Sequence, residues 1–287
     1  MKIRTRRRAR AGRLLRRPLL LAAVCMAGLG TVPASAPGAG LNTDVALSPP
    51  EGGTIVRVQL RYSELSGDAT ALDRTVRLSA QPVTVVHGVT ADFSVLGTLP
   101  IVHRRVSVGA TGEGSRDTGI GDIPLLAKYR FHQHDEAGRT TRWAAVGGAE
   151  IPSFDRPFSS ESVDPIIGTV WTHQRHDWWL DWDLSHKFNT GGGVNRHDQV
   201  RGNTALSYRL LGGQHEEIGP WGFYAIGEIN ASYWTDGSRQ VFASPGLQLI
   251  TPRWIIEAGV QLPVHQRMRA PRLETDYTTV LSARFQF

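Results

Sequence analysis

The sequence predicts an all-β chain, a single antiparallel up-and-down transmembrane β-barrel of about 12 strands preceded by a signal peptide. Three observations predict it. Apolar and polar residues alternate with a period of two in segment after segment. The connections between segments alternate between short and long. The chain opens with a basic and then apolar leader ending in Ala34-Ser35-Ala36. Alternation at period two is strand rather than helix. In lipid, strands satisfy all their backbone polar groups only in a closed barrel.

Residues 1–17 carry nine Lys and Arg and no acid, and an apolar run from Pro18 to Gly30 follows. With the A-x-A site this makes residues 1–36 a cleaved secretory signal peptide. The run is too short to span a bilayer. The whole chain has 32 basic and 26 acidic residues; without the leader 23 basic face 26 acidic, so the high isoelectric point belongs mainly to the leader. That balance gives no basis for a nucleic-acid partner. The only cysteine, Cys25, also lies in the leader, and Met26 after it is not a lipoprotein residue. The mature chain therefore has no disulfide and no thiol chemistry. Beyond Gly30 no apolar run approaches the roughly 18 residues of a membrane helix. The alternatives are a soluble periplasmic β-sandwich and a membrane barrel.

Residues 37–53 (PGAGLNTDVALSPPEGG) are rich in Pro and Gly. They are expected to form a flexible periplasmic segment or a plug inside the lumen, with the barrel covering 54–287. Twelve alternating segments follow, near 54–63, 74–86, 91–103, 121–131, 141–151, 164–173, 178–188, 202–211, 221–234, 241–250, 253–263 and 276–287. Most are about ten residues long, as tilted membrane strands are. In the first, Arg57, Gln59 and Arg61 oppose Val56, Val58, Leu60 and Tyr62. Pro82 interrupts the second. In the fourth, Lys128 and Arg130 oppose Tyr129 and Phe131. The later strands send Glu150, Arg209, Glu228, Asn230, Glu257, Gln261 and Arg284 to the polar face.

That face carries charges in most strands, which suits a wet lumen. The other face is repeatedly marked by aromatics: Tyr62, Tyr129, Phe131, Trp143, Trp171, Trp178, Trp182, Tyr208, Tyr233, Trp254 and Phe285. These are expected to form girdles at the membrane interfaces. The connections HGVT, QRHD and TP are tight, whereas HQHDEAGRT and GGQHEEIGP are longer; all are expected on the periplasmic side. RRVSVGATGEGSRDTGI, PSFDRPFSSESVD, NTGGGVNRHDQVR and VHQRMRAPRLET are long and polar, as surface loops should be. An even strand count leaves both termini in the periplasm.

The stretch HDWWLDWDLSHKF (176–188) raises the question of chemistry. Parity sends Trp178, Leu180, Trp182 and Phe188 to lipid, and Trp179, Asp181, Asp183 and Lys187 to the lumen. Asp181 and Asp183 are same-face neighbours about 6.5–7 Å apart. That spacing fits a carboxylate pair of a hydrolase or a cation site; the competing reading is two lumen acids balanced by Lys187 and by arginines on neighbouring strands. His173 and His176 lack an evident third metal ligand, and His132 and His134 sit on an expected periplasmic turn. Ser185 and His186 are adjacent, so on a strand they face opposite sides and cannot pair. No G-x-S-x-G and no phosphate loop is present. The expectation is a channel with no catalytic residue, cofactor or metal. The alternatives are a barrel enzyme acting on lipid or glycan and a closed structural or adhesive barrel.

HGVTADFSVLGTLPIV (87–102), TGIGDIPLLAKYRF (118–131), SPGLQLITPRWIIEAGVQLPV (244–264) and the terminal ARFQF resemble one family of transporter-like outer-membrane proteins, putative MetA-pathway of phenol degradation. The resemblance implies a small barrel in the bacterial outer membrane that passes small-molecule solutes, and the family name suggests aromatic or hydrophobic ones. EIPSFDRP lacks the Pro-Thr-Gly-like turn expected after the fifth strand. The terminal Phe287 resembles the outer-membrane assembly signal, which implies the assembly machinery as a partner beside outer-membrane lipid.

Overall fold

The computed structural model describes residues 40–287 except 71, 110, 156, 192–195 and 213–220. The expected leader, positions 37–39 and nearly all of GGQHEEIGP lie outside the described residues.

Among the described residues, 13 strands form one antiparallel sheet. They are β1 (Thr54–Ser66), β2 (Arg74–Gly88), β3 (Phe93–Val108), β4 (Gly114–Ile120), β5 (Ile123–Glu136), β6 (Arg139–Ile151) and β7 (Asp164–Arg175). Then come β8 (Trp178–Lys187), β9 (Gln199–Leu211), β10 (Gly222–Trp234), β11 (Arg239–Ile250), β12 (Trp254–Arg267) and β13 (Glu274–Gln286). β1 pairs with both β2 and β13, and β2 pairs with β3, so the sheet closes on itself. Closure leaves no free barrel edge to present backbone groups to lipid. The last residue joins the seam: Phe287 and Thr54 exchange backbone hydrogen bonds of 2.9 and 3.1 Å.

The barrel has twelve staves, as the alternation predicts, plus one extra strand. β4 pairs with the outer half of β3 (Ile101–Ser107), and β5 takes over the same edge nearer the periplasm (Phe93–Gly97). This corrects the reading of RRVSVGATGEGSRDTGI as a surface loop. It is the end of β3, a turn with Gly112 at φ +69°, and β4. The stretch reads as loop because β4, GSRDTGI, carries no apolar alternation. The β6–β7 connection packs beside it: Asp155 Oδ2 accepts from the Ile120 N–H at 2.7 Å, and the Arg104 guanidinium lies 5.0 Å over Phe158.

A second correction concerns HQHDE. It is no turn: β5 runs on to Glu136, and only Ala137 and Gly138 (φ +74°) separate it from β6. A two-residue hairpin needs positive φ, which glycine supplies without strain. Pro82 does not end β2 either. It lies opposite Pro100 of β3, and the β1–β2 register skips Gln59 and Leu60 beside it, where proline has no N–H to give.

The burial pattern is inverted relative to a water-soluble protein. Large apolar side chains face out, with Leu60 50%, Leu125 52% and Ile167 55% exposed. Polar and charged groups, among them Asp181, Glu228, Gln248 and Glu257, are buried inside. Within the lumen, at its periplasmic end, Trp179, Tyr224, Ile250 and Ile255 form an apolar cluster around Leu47, with Val45 against it.

Candidate functional site: the lumen and its inward segment

Residues 40–48 run among the inward-facing side chains of the barrel. Gly53 sits at the periplasmic rim, where Gly52 N donates to Gly88 O at 2.8 Å and Gly88 N to Gly53 O at 2.9 Å. A side chain on Gly88 would run into the Pro49 and Pro50 carbonyls, so glycine allows this close crossing. From there the segment rises, and each turn of it is held by wall residues.

Leu41 occupies a hole in the wall. Gly246 of β11 and Gly259 of β12 are directly paired, both face inward, and a Cβ on either would meet Leu41 Cδ1. Leu41 is 1% exposed. Burying a leucine contributes roughly 1.5–3 kcal/mol. Around it the wall arginines read the segment's backbone. Arg57 Nη2 donates to Leu41 O at 2.9 Å and to Gly40 O at 3.2 Å, and Arg284 Nη2 donates to Gly40 O at 3.0 Å. Both arginines also pair with buried Glu257, at 3.0 and 2.5 Å.

Asn42 makes polar contacts with three wall residues, Glu228, Asn230 and Arg61. Its backbone N–H faces Glu228 Oε1 and Oε2 at 3.2 and 3.1 Å, and its Nδ2 donates to Glu228 Oε2 at 2.9 Å. Arg61 Nη1 donates to Asn42 Oδ1 at 2.9 Å. On the opposite side Asp44 N donates to Asp183 Oδ2 at 2.8 Å, Lys128 Nζ donates to Asp44 Oδ1 and Val45 O at 2.7 Å each, and Ala46 N donates to Thr172 Oγ1 at 2.9 Å. Thr172 in turn donates to Asp181 Oδ1 at 2.6 Å.

The two aspartates of HDWWLDWDLSHKF therefore each have a defined local role. Asp183 accepts from the Asp44 backbone and from Asn203 Nδ2 at 2.9 Å, and Asp181 orients Thr172. Glu150 pairs with Lys187 at 2.8 Å, and Gln261 and Gln59 donate to Asn230 and Leu41 respectively at 3.2 Å. Arg130 and Arg209 stand apart from this group at the periplasmic rim. Arg130 is bound to Asp92 at 2.6 Å, and Arg209 to Tyr224 Oη at 2.9 Å with Asp177 at 3.4 Å.

On the outer wall Trp143, Trp171 and Trp182 lie side by side across β6, β7 and β8. Trp143 is 6.1 Å from Trp171 and 6.5 Å from Trp182. Trp178 packs on Tyr208 at 4.3 Å, Tyr62 on Tyr277 at 6.2 Å, and Trp254 is paired with Phe285. Tyr129, Phe131 and Tyr233 are each about half exposed, at 54%, 55% and 49%.

The histidine candidates do not converge. His173 stacks on Trp171 at 5.8 Å and bonds Thr141, His176 occupies a turn at φ +52°, and His134 bonds Glu136. Ser185 lines a lumen cavity while His186 stacks on Phe188 at 4.2 Å.

The family profile described as putative MetA-pathway of phenol degradation matches residues 49–272. The chain belongs to that family. Three solved structures are similar to this member. An outer-membrane channel from Pseudomonas putida F1 aligns at TM-score 0.57 and 13% identity, over 84% of this chain and 98% of that one. The β-domain of the Bordetella autotransporter BrkA aligns at 0.47 and 12%, over 83% and 100%. The CymD monoaromatic hydrocarbon channel aligns at 0.43 and 10%, over 83% and 89%. No curated protein matches the chain. The first of these likenesses shows the fold: this family member is a closed antiparallel β-barrel like that outer-membrane channel.

Sequence reasoning left two parts of the site out. Arg201, one position before the segment assigned as 202–211, lines the lumen; its signal was the alternation Arg201, Asn203, Ala205, Ser207, Arg209. Gly246 and Gly259 carry no side chain to alternate, so only their pairing across β11 and β12 reveals them.

Proposed function

We propose that the protein is a passive outer-membrane channel for small molecules, with residues 40–48 setting its bore. One observation carries the reading: three cavities of about 570, 280 and 250 Å³ surround the segment and share lining residues. The largest, on the side of the long loops, shares Asn42, Arg57 and Thr84 with the smallest, which reaches Trp254 and Gln286 at the periplasmic end. All three touch Asn42. Small displacements of Asn42 and Asp44 would join them into one path. A polar wall around such a path suits small solutes, and the apolar periplasmic cavity lets part of a solute be aromatic or aliphatic.

The chain works without catalysis in this reading, because Asp181 and Asp183 are engaged in holding structure and Ser185 and His186 face opposite ways. The pore-lining role falls to Arg57, Arg61, Lys128, Asp183, Glu228 and their neighbours, and the outer aromatics anchor the barrel in lipid. β13 and the exposed Phe287 that follows it would engage the assembly machinery during insertion. Liposome swelling tests the central reading. Proteoliposomes of the folded protein should swell in small neutral solutes several times faster than empty ones; equal rates would refute passage.

A further inference from the structure

We propose that the outer vestibule of the lumen is a binding site for small organic carboxylates, so that the channel prefers anions. The inference rests on the channel reading and names its solute class. The vestibule is the cavity of about 570 Å³ on the long-loop side of Asn42. Among the described residues that line it there are three arginines, Arg57, Arg61 and Arg201, and no carboxylate. The acids of the lumen lie deeper and are occupied: Glu257 by Arg57 and Arg284, Glu228 by Asn42, Asp183 by the Asp44 backbone.

The arginines differ in what they have left to give. Arg57 is committed to Glu257 and to the Gly40 and Leu41 carbonyls. Arg61 makes one side-chain bond, to the neutral Asn42 carboxamide. Among the described residues Arg201 has no side-chain hydrogen bond, and neither have the carboxamides of Gln199 and Gln240 on the strand ends beside it. β1 and β9 stand five staves apart in the ring of twelve, so Arg61 and Arg201 approach the vestibule from nearly opposite walls. Arg201 also lines the adjoining cavity, where it attracts the Asp183 carboxylate, and Glu228 acts likewise on Arg61; no carboxylate lines the vestibule itself, so the two guanidiniums make its own surface positive, a potential that a low-dielectric wall focuses. A guanidinium binds a carboxylate through two parallel N–H bonds, and the carboxamides supply further donors. Phe242, 4% exposed, gives the cavity an apolar contact for the solute's hydrocarbon part.

The test uses the folded mature protein in detergent, titrated by calorimetry with benzoate, benzylamine and benzyl alcohol, which share a ring and differ in charge. Benzoate is expected to bind at least about tenfold more tightly than either, and Arg201→Gln to weaken it about tenfold, the loss typical of one charged hydrogen-bonding partner. Arg201→Lys should restore part of it. Equal binding of the three ligands, or benzoate binding unchanged in Arg201→Gln, overturns the proposal. Liposome swelling in neutral solute separates the two readings. Benzoate binding without swelling sinks the channel and keeps the site; swelling without benzoate preference does the reverse.

Discussion

Asn42 and Glu228, 186 positions apart in sequence, meet inside the barrel through three contacts of 2.9–3.2 Å. A carboxylate accepting that many N–H groups is a strong anchor, because charged hydrogen bonds are about twice as strong as neutral ones. Glu228→Ala leaves the Asn42 backbone N–H unpaired and its Nδ2 with Asn230 Oδ1 alone, a cost on the order of 2 kcal/mol, or roughly a 30-fold shift toward the undocked segment. Single-channel recordings of Glu228→Ala should show longer and larger openings than the parent, with Glu228→Gln between the two.

The paired glycines make a second, independent lever. Valine at Gly259 fills the hole that Leu41 occupies, and Pro245 O lies 2.8 Å from where its Cβ would be. Gly259→Val should expel Leu41 and raise conductance, while Gly227→Val, at a site with nothing near, should leave it unchanged. Equal conductance in Gly259→Val and the parent, with both barrels folded, would count against the hole.

At the outer rim Arg74 holds Asp68. Its Nε and Nη2 reach the two carboxylate oxygens at 2.5 and 3.1 Å, and the Thr70 and Arg74 backbone N–H groups add two more bonds. These hydrogen bonds, the Arg74 side chain first, hold the Asp68 carboxyl well below the usual carboxylate range. A lowered folded-state pKa contributes stability that is fully present above the unfolded value, near pH 4, and is lost as pH falls through the folded one. Proteolysis of the 67–73 loop should therefore stay flat from neutral pH down to about pH 4 and rise only in stronger acid. Arg74→Gln should move that rise upward; an unmoved rise would show that the pair does not hold the loop.

Tryptophan reports which face meets lipid. Trp182 is on the outer wall beside Trp143, whereas Trp179, three residues earlier on the same strand and so on its other face, is 2% exposed inside. Brominated lipids should quench a single-tryptophan variant retaining Trp182 several times more than one retaining Trp179. Equal quenching would contradict the assignment of faces.

Much of this architecture is legible in the sequence because lipid outside and water inside force opposite residue types onto alternate positions. That alternation sorts Asp181 and Asp183 from Trp178 and Trp182 before any coordinates exist. It fails where both faces meet water, as in the β3–β4 hairpin and the His132–Glu136 end of β5, since polarity there carries no parity. It also cannot locate the inward segment. Leu41, Val45 and Leu47 interleave with Asn42 and Asp44 as apolar and polar residues do in any linker, and what receives them is assembled from Gly246, Gly259, Glu228 and Thr172 on four different strands. Long-range pairing of that kind depends on barrel closure and leaves no local pattern.

The central claim is that residues 40–48 set the bore of a passive channel. Planar-bilayer conductance of the mature chain, compared with a chain in which residues 37–48 are deleted and the barrel refolds with the same strand content, tests it directly. The account predicts small, flickering openings for the mature chain and a several-fold larger, steady conductance after deletion. Unchanged conductance after deletion, or none in either protein, would contradict it.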